Sequence, residues 1–289
     1  MRLLVAGAAG MLGHDLLRAG ELAGHELIAL DLPELDITDP VGVRETFERV
    51  RPDAALNLAA WTDVDGAETH REQAHAVNAD GAGNLARSAA ALGVTLVHVS
   101  TDYVFDGLAP HDTTGAPRAY VESDPTGPCS VYGETKLDGE RQVLAASPRH
   151  AVARSAWLFG VGGRNFVATM LGLAQEREQV QVVTDQIGCP TWTGHLAPAL
   201  IGLIERDVSG LVHLAGAGRV SWNGFAAEIF RQAEVGCAVL EATSEQMARP
   251  APRPAWSALE SERADVLPLP PWQDGLAGYL AARNGMMRP

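Results

Sequence analysis

Two hydrophobic periods alternate along the first half of the chain. Short runs that are apolar throughout predict buried strands at residues 2–7, 26–31, 53–60, 94–100 and 150–159. Between them, apolar residues recur every three or four positions, which predicts helices at 11–24, 40–51, 68–92 and 131–146. Fully apolar strands that alternate with helices are typical of a parallel sheet covered on both faces.

Beyond residue 160 the pattern becomes weaker. It predicts an amphipathic helix at 165–175 and strands at 180–185 and 210–216. The predicted fold class is therefore α/β: a Rossmann-like, doubly wound parallel sheet with a smaller α/β C-terminal substrate lobe. The predicted nucleotide-binding domain comprises residues 1–160 and about 196–216, and the predicted lobe comprises 161–195 and 217–289.

Composition narrows the functional classes. The 289 residues are 46% hydrophobic and 20% charged, and their formal net charge is −14. Such a charge argues against sequence-independent binding of nucleic acid, which needs a basic face. The three cysteines, Cys129, Cys189 and Cys237, are widely spaced and form no metal-binding motif. Because no apolar run reaches membrane-spanning length, we expect a cytoplasmic protein without metal, membrane or nucleic-acid partners.

A glycine-rich loop follows the first predicted strand. Gly7, Gly10 and Gly13 are spaced GxxGxxG and lead directly into a helix, with Met11 and Leu12 between the last two. In this context the glycines permit a tight turn, close approach of a pyrophosphate and close packing of the helix on the sheet. The sequence therefore predicts a dinucleotide site at residues 7–13.

The second predicted strand ends at Asp31, 18 residues after Gly13. An acid at this position accepts hydrogen bonds from an adenosine ribose and repels a 2′-phosphate. No arginine follows within the next residues, so the predicted cofactor is NADPH or NADH, with NADH at least as good. Asp36 and Ile37 are predicted to flank the adenine ring.

Lys136 is the only lysine among 22 basic residues, and it follows Tyr132 by four positions on a predicted helix. Both side chains therefore project from one face. A tyrosine has an ordinary pKa near 10, and a nearby ammonium lowers it toward the range useful for proton transfer. A compact lysine also fits where the planar arginine fork does not. Ser100 and Thr101, at the end of the fourth strand, offer a hydroxyl for a substrate carbonyl.

These motifs resemble a known family. "GAAGMLG", "VSTDYVFDG" and "VYGETKLDGE", together with "VVTDQIGCPT" further on, resemble the extended short-chain dehydrogenase/reductases. Within them, the resemblance is to the dTDP-4-dehydrorhamnose reductase family, and it extends from about residue 2 to 280. It implies NAD(P)H-dependent reduction of the 4-keto group of a dTDP-6-deoxyhexose. The implied partner is a dTDP-sugar substrate, and a homodimer is left open.

The resemblance also implies residue roles. Thr101 would bind the substrate carbonyl, Tyr132 would donate the proton, and Lys136 would tune Tyr132 and hold the nicotinamide ribose. Further cofactor contacts would come from Asn57, Ala59, Ala60 and Ser100. The nucleotide-sugar would be faced by Asp102, Tyr103, Trp157, Asn165, Gln186 and Arg253. Trp222 is expected in the core rather than at a ligand.

Neighbouring activities are weighed on the same residues. Sugar-nucleotide dehydratases of similar fold carry Asp-Glu after the threonine, whereas this chain has Asp102-Tyr103 and lacks the second carboxylate that elimination needs. Another dTDP-4-keto-deoxysugar 4-ketoreductase of secondary metabolism remains an alternative. So does a non-catalytic subunit resembling the regulatory subunit of methionine adenosyltransferase, although such a subunit need not keep Thr101, Tyr132 and Lys136.

Overall fold

The computed structural model describes residues 1–286. Its strands are β1 (Arg2–Ala6), β2 (Glu26–Leu30), β3 (Ala54–Asn57), β4 (Thr95–Thr101), β5 (Ala151–Ser155), β6 (Leu158–Phe159), β7 (Gln179–Val183), β8 (Ile187–Gly188), β9 (Thr191–Trp192), β10 (Gly210–His213), β11 (Val220–Ser221) and β12 (Ala238–Ala242). Its α-helices are α1 (Met11–Leu22), α2 (Pro40–Val50), α3 (Val64–Thr69), α4 (Arg71–His75), α5 (Ala82–Ala91), α6 (Val131–Ala146), α7 (Phe166–Glu176), α8 (Thr193–Glu205), α9 (Trp222–Gln232) and α10 (Trp272–Met286).

Six strands form the central sheet in the order β10-β5-β4-β3-β1-β2. Every neighbouring pair in it is parallel. The strand order reverses between β1 and β3, and such a switch point opens a crevice at the carboxyl ends of the two strands. The predicted Rossmann-like, doubly wound fold class is confirmed.

Each face of the sheet is covered by helices. On one face, Leu12 and Leu16 of α1 pack with Leu196 and Leu200 of α8. On the other face, Phe47 of α2, Leu85 of α5 and Val143 of α6 belong to a second buried cluster. Helix α8 follows a segment of the predicted lobe, so the chain returns to the sheet before β10.

A third core holds the C-terminal part together. Helices α7, α9 and α10 bury the aromatic side chains Phe225, Trp272 and Tyr279 with Phe159 of β6. The strands here form short pairs, β7 with β12, β6 with β9 and β8 with β11. Residues 287–289 of the predicted lobe lie outside the described residues. Within residues 1–286, no helix combines the length and apolar character needed to cross a bilayer.

The helix predicted over about 68–92 is observed as continuous helical backbone from residue 71 to residue 91, with two irregularities that were not predicted. Helix α3 begins earlier, the chain breaks at His70 (φ −123°, ψ 45°), and residues 76–81 form a π-helical turn between α4 and α5. The irregular turn allows side-chain contacts that hydrophobic periodicity does not predict. Within it, the side chain of Asn78 bonds both the backbone N–H and the carbonyl of Trp61 and donates to Thr135 of α6.

Candidate active site

A cavity of about 910 Å³ opens at the carboxyl ends of β1, β3 and β4, where the sheet order reverses. Most of the residues that the sequence singled out line it. They are Gly7, Gly10, Met11, Leu12, Gly13, Asp31, Asp36, Ile37, Ala59, Ala60, Ser100, Thr101, Asp102, Tyr103, Tyr132, Lys136 and Trp157. One cavity therefore adjoins both the glycine loop and the Tyr132–Lys136 pair.

The glycine loop has the backbone geometry that a diphosphate needs. Gly7 has φ +78°, and a Cβ there would lie 2.7 Å from the Cα of Ala59, so no other residue fits without displacing the segment that follows β3. A Cβ on Gly13 would collide with the backbone of Ala8. Helix α1 begins after Gly10, which has no side chain to cap it. The N–H groups of its first turn are thus available to an anion.

Asp31 has a role that the sequence did not predict. Its carboxylate oxygens accept hydrogen bonds from the backbone N–H of Ala9 at 2.9 Å and of Leu32 at 2.8 Å. The acid therefore ties the glycine loop to the end of β2. It also lines the cavity, where its remaining lone pairs can meet a ribose hydroxyl.

Lys136 is almost fully enclosed, with 2% of its surface exposed. Its Nζ donates to the carbonyl oxygen of Val99 at 2.8 Å and lies 3.3 Å from Nε2 of His98. Burial lowers the pKa of Lys136 to about 8, against a weaker opposing attraction from Glu140. The only lysine thus sits near its titration point at neutral pH.

Tyr132 does not show the lowered pKa expected from the sequence. Burial raises the pKa of its phenol to about 12, with the neighbouring hydroxyl of Thr101 acting in the opposite direction. The physical reason is that the Lys136 ammonium is directed at Val99, so desolvation dominates. In the protein alone, Tyr132 is therefore a firmly protonated proton donor.

Thr101 and Asp102 form a short hydrogen-bonded unit beside Tyr132. The Thr101 hydroxyl accepts from the backbone N–H of Tyr103 at 3.2 Å and donates to Asp102 Oδ1 at 3.0 Å. Burial raises the pKa of Asp102 to about 6. A hydroxyl, a phenol and a weak buried acid thus converge on one end of the cavity.

Two predicted contact residues lie behind the cavity wall. Asn57 is fully buried, with its side chain between the backbone N–H of Ala59 and the ring of His98. Asn165 caps helix α7 and donates to the carbonyl oxygens of Gly160 and Gly163. Both side chains shape segments that face the cavity, and their direct contact with a ligand stays a prediction.

Two other predicted sugar contacts do not line the cavity and are bonded to other parts of the protein. The amide of Gln186 donates to Ser244 at 2.8 Å. The guanidinium of Arg253 pairs with Asp65 of α3 at 2.5 Å. Neither residue lines the cavity. Side-chain direction in loops is set by local partners that the sequence motif does not reveal, so these two roles also remain predictions.

Sequence reasoning missed some of the cavity wall. Trp222, expected in the core, lines the cavity and stacks on Trp157 with ring centroids 3.6 Å apart. Trp157 has φ 48°, a left-handed backbone that is unfavourable for a bulky residue. Arg164 also lines the cavity and is exposed. The sequence feature that could have indicated Arg164 is its position directly before Asn165, the residue that caps helix α7.

Comparisons with known proteins agree with the family that the sequence motifs indicate. The family model described as RmlD substrate binding domain matches residues 1–284. A dTDP-4-dehydrorhamnose reductase of Mycobacterium tuberculosis is 44% identical, over 97% of this chain and 93% of that protein. A probable dTDP-4,6-dihydroxy-2-methyloxan-3-one 4-ketoreductase of Streptomyces antibioticus is 42% identical, over 96% of this chain and 93% of that protein.

A solved structure agrees with these matches. The dTDP-4-dehydrorhamnose reductase of Bacillus anthracis, crystallised in complex with NADP, is 34% identical to this chain with a TM-score of 0.92. The match covers 97% of this chain and 99% of that one. The chain therefore belongs to the RmlD family, that of the dTDP-4-dehydrorhamnose reductases.

Proposed function

We propose that this protein reduces the 4-keto group of dTDP-4-dehydro-6-deoxy-L-mannose to give dTDP-L-rhamnose, with NADPH or NADH as the reductant. The observation that carries the proposal is that Thr101, Tyr132 and Lys136 line the same cavity as the glycine loop. The relatives named dTDP-4-dehydrorhamnose reductase, and the NADP bound to one of them, support this substrate and cofactor class.

The cavity fits a dinucleotide. Gly7 and Gly13 let the loop pack closely against the backbone of Ala59 and Ala8, and α1 presents its uncapped first turn to the cavity. Asp31, Asp36 and Ile37 line the end where the adenosine would lie, and Ser100 and Lys136 line the nicotinamide end. When bound, the reduced nicotinamide supplies a hydride to C4 of the sugar.

The chain's own residues then supply the proton. To hydrogen-bond the ketone oxygen and orient it, the Thr101 hydroxyl would redirect the hydrogen that it donates to Asp102 in the protein alone. As negative charge develops on that oxygen, Tyr132 gives it the phenolic proton. The charge left on the phenolate is stabilised by the ammonium of Lys136. The stacked Trp157 and Trp222 form an apolar wall that excludes water from this end of the cavity.

A second candidate is reduction of a related dTDP-4-keto sugar. The Streptomyces antibioticus relative supports it, since its name gives a different keto-sugar at similar identity. The chemistry at Tyr132 would be the same, and only the walls of the sugar pocket would differ. A regulatory subunit without turnover is disfavoured because the complete set of Thr101, Tyr132 and Lys136 is present.

The test is turnover with defined keto-sugars. The purified protein is mixed with dTDP-4-dehydrorhamnose and either NADPH or NADH, and loss of absorbance at 340 nm is followed. The configuration at C4 of the product is then determined by NMR. We expect dTDP-L-rhamnose with both cofactors. Faster turnover of dTDP-4-keto-6-deoxy-D-glucose would favour the second candidate, and no turnover of any keto-sugar would contradict both.

A further inference from the structure

A chain of buried polar groups leads from the cavity wall to the only lysine. It begins at the backbone N–H of Ala59, which donates to Asn57 Oδ1 at 3.0 Å. The amide nitrogen of Asn57 lies 3.0 Å from Nδ1 of His98, and Nε2 of His98 lies 3.3 Å from Nζ of Lys136. Asn57 and His98 are both 0% exposed, so water does not reach them.

The chain has a defined donor direction. The Ala59 N–H can only donate, so the oxygen of the Asn57 amide must face it. The NH₂ of Asn57 therefore faces His98 and donates to Nδ1. A neutral imidazole that accepts at Nδ1 carries its proton on Nε2. Burial and the nearby Lys136 hold the pKa of His98 well below its usual range, which keeps the ring neutral.

The direction has a consequence for Lys136. An ammonium has only donor hydrogens, so it meets the N–H of His98 as one donor facing another. A neutral amine instead accepts that N–H with its lone pair and still donates to the carbonyl of Val99. We propose that His98, oriented by Asn57, is a positioning residue that destabilises the ammonium of Lys136 relative to the neutral amine, and so sets the pH above which Lys136 loses the charge that stabilises the Tyr132 phenolate.

The other groups around Lys136 do not reproduce this effect. On its own helix, Tyr132 is neutral at physiological pH, and Glu140 attracts the ammonium, which opposes proton release. The Glu140 carboxylate is in turn held by Arg154 of β5 at 2.7 Å. Among the described residues around Lys136, His98 is the side chain that places an N–H against Nζ.

The effect of His98 on the protonation of Lys136 can be measured whether or not the proposed function is correct. Only its consequence for catalysis rests on the proposed function. Because the chain has one lysine, protein labelled with ¹³C-lysine gives one Cε signal, which reports the protonation of Lys136 directly. We expect a pKa near 8 in the wild type. His98→Leu removes the facing N–H and should raise the lysine pKa by about 0.5–1 unit, the size of a lost hydrogen bond to the neutral form.

His150 supplies a matched control. It is another fully buried histidine, bonded to the N–H of Leu96 at the far, amino end of the sheet strands. His150→Leu loses a similar volume and should leave the lysine titration unchanged. An equal lysine pKa in wild type and His98→Leu, or an equal shift in both variants, would overturn the proposal.

A second measurement does not depend on a stable leucine variant. In ¹⁵N-histidine-labelled wild type, the His98 signals, assigned by their loss in His98→Gln, should show the proton on Nε2. A proton on Nδ1 would overturn the proposal.

With the keto-sugar, the alkaline limb of kcat/KM should move to higher pH in His98→Leu by the same interval as the lysine titration. If the proposed reduction were wrong, that limb would be missing while the lysine shift persisted.

Discussion

Burial changes the pKa values of Tyr132 and Lys136 in opposite directions. Tyr132 keeps its proton because burial raises its pKa to about 12, while the Lys136 amine is brought down to about 8. A tyrosine that holds its proton until an alkoxide develops next to it suits a proton donor in ketone reduction. The pKa of Tyr132 is consistent with its proposed role as the proton donor.

Replacement of the phenol tests that assignment. Tyr132→Phe keeps the ring and should fold normally and bind the cofactor, yet reduce the keto-sugar at least about a hundredfold more slowly. The measurement is kcat with saturating keto-sugar, together with cofactor binding followed by NADPH fluorescence. Tyr279→Phe, in the C-terminal core, is the control and should retain its rate. Near-normal turnover of Tyr132→Phe would assign the proton to another group.

Asp102 should leave a signature in stability. Burial raises its pKa in the folded protein from 3.8 to about 6, so the folded state holds the proton more tightly than the unfolded state. The contribution of Asp102 to the free energy of unfolding is therefore fully present below about pH 4. It is lost as the pH rises to about 6, which lowers the free energy of unfolding by at most about 3 kcal/mol.

The variant Asp102→Asn removes that titration. At pH 7.5 it should unfold at a higher urea concentration than the wild type, and the gap should close near pH 4. Urea midpoints at the two pH values make the comparison. A gap that is independent of pH would show that folding does not change the pKa of Asp102, and would contradict the prediction.

At the scale of elements, the site depends on the close fit of helix α6 against the π-helical turn. Gly139 of α6 faces that turn, and a Cβ there would collide with the carbonyl oxygen of Asn78 and lie 3.2 Å from its carbon. This contact fixes the face of α6 on which Tyr132 and Lys136 stand. The glycine is thus part of how the reacting pair is placed.

A matched pair of glycine variants measures the fit. Gly139→Ala should destabilise the protein by about 1–3 kcal/mol because backbone must move. Gly172→Ala, in α7 with open space around it, should instead stabilise by up to about 1 kcal/mol through helix propensity. Chemical denaturation gives both values. Equal effects at the two sites would contradict a close contact at Gly139.

Prediction from sequence succeeded where periodicity and backbone requirements decide the structure. The apolar runs of 2–7 and 94–100 became β1 and β4, and the glycine loop was located from its position between a strand and a helix. It located the helical backbone of 71–91 but missed the break at His70 and the π turn, because both are accompanied by side-chain contacts distant in sequence. The hydrogen bonds of Gln186 and Arg253 are set in the same way, by partners on other segments.

At the scale of the whole molecule, the protein is acidic although its proposed ligands are anions. The net charge is −14, and the cofactor and the proposed nucleotide-sugar each carry a diphosphate. Arg164 and Lys136 are the cavity-lining cations in the described part of the chain. The loop before Arg164 packs on α1, since a Cβ on Gly163 would lie 3.0 Å from Cβ of Met11. That position places Arg164 near the uncapped first turn of α1, where we propose that the diphosphate binds.

Arg164→Ala should therefore weaken NADPH binding about tenfold, and the loss should shrink as salt rises because the attraction is electrostatic. Dissociation constants from NADPH fluorescence at low and high ionic strength provide the measurement. Arg177→Ala, an exposed arginine beyond the end of α7, should leave NADPH affinity unchanged. A salt-independent loss in Arg164→Ala would point to a structural role instead.

The return of the chain through α8 and β10 has a consequence for how this fold can change. Helix α8 packs on α1, and β10 completes an edge of the central sheet, after segments that belong to the C-terminal core. Under the proposed division into domain and lobe, the lobe is therefore sequence-discontinuous. Exchanging it for that of a relative would need junctions near residues 160, 196 and 216 rather than one crossover. New sugar preferences should accordingly arise by point substitution within the pocket more readily than by shuffling of gene segments.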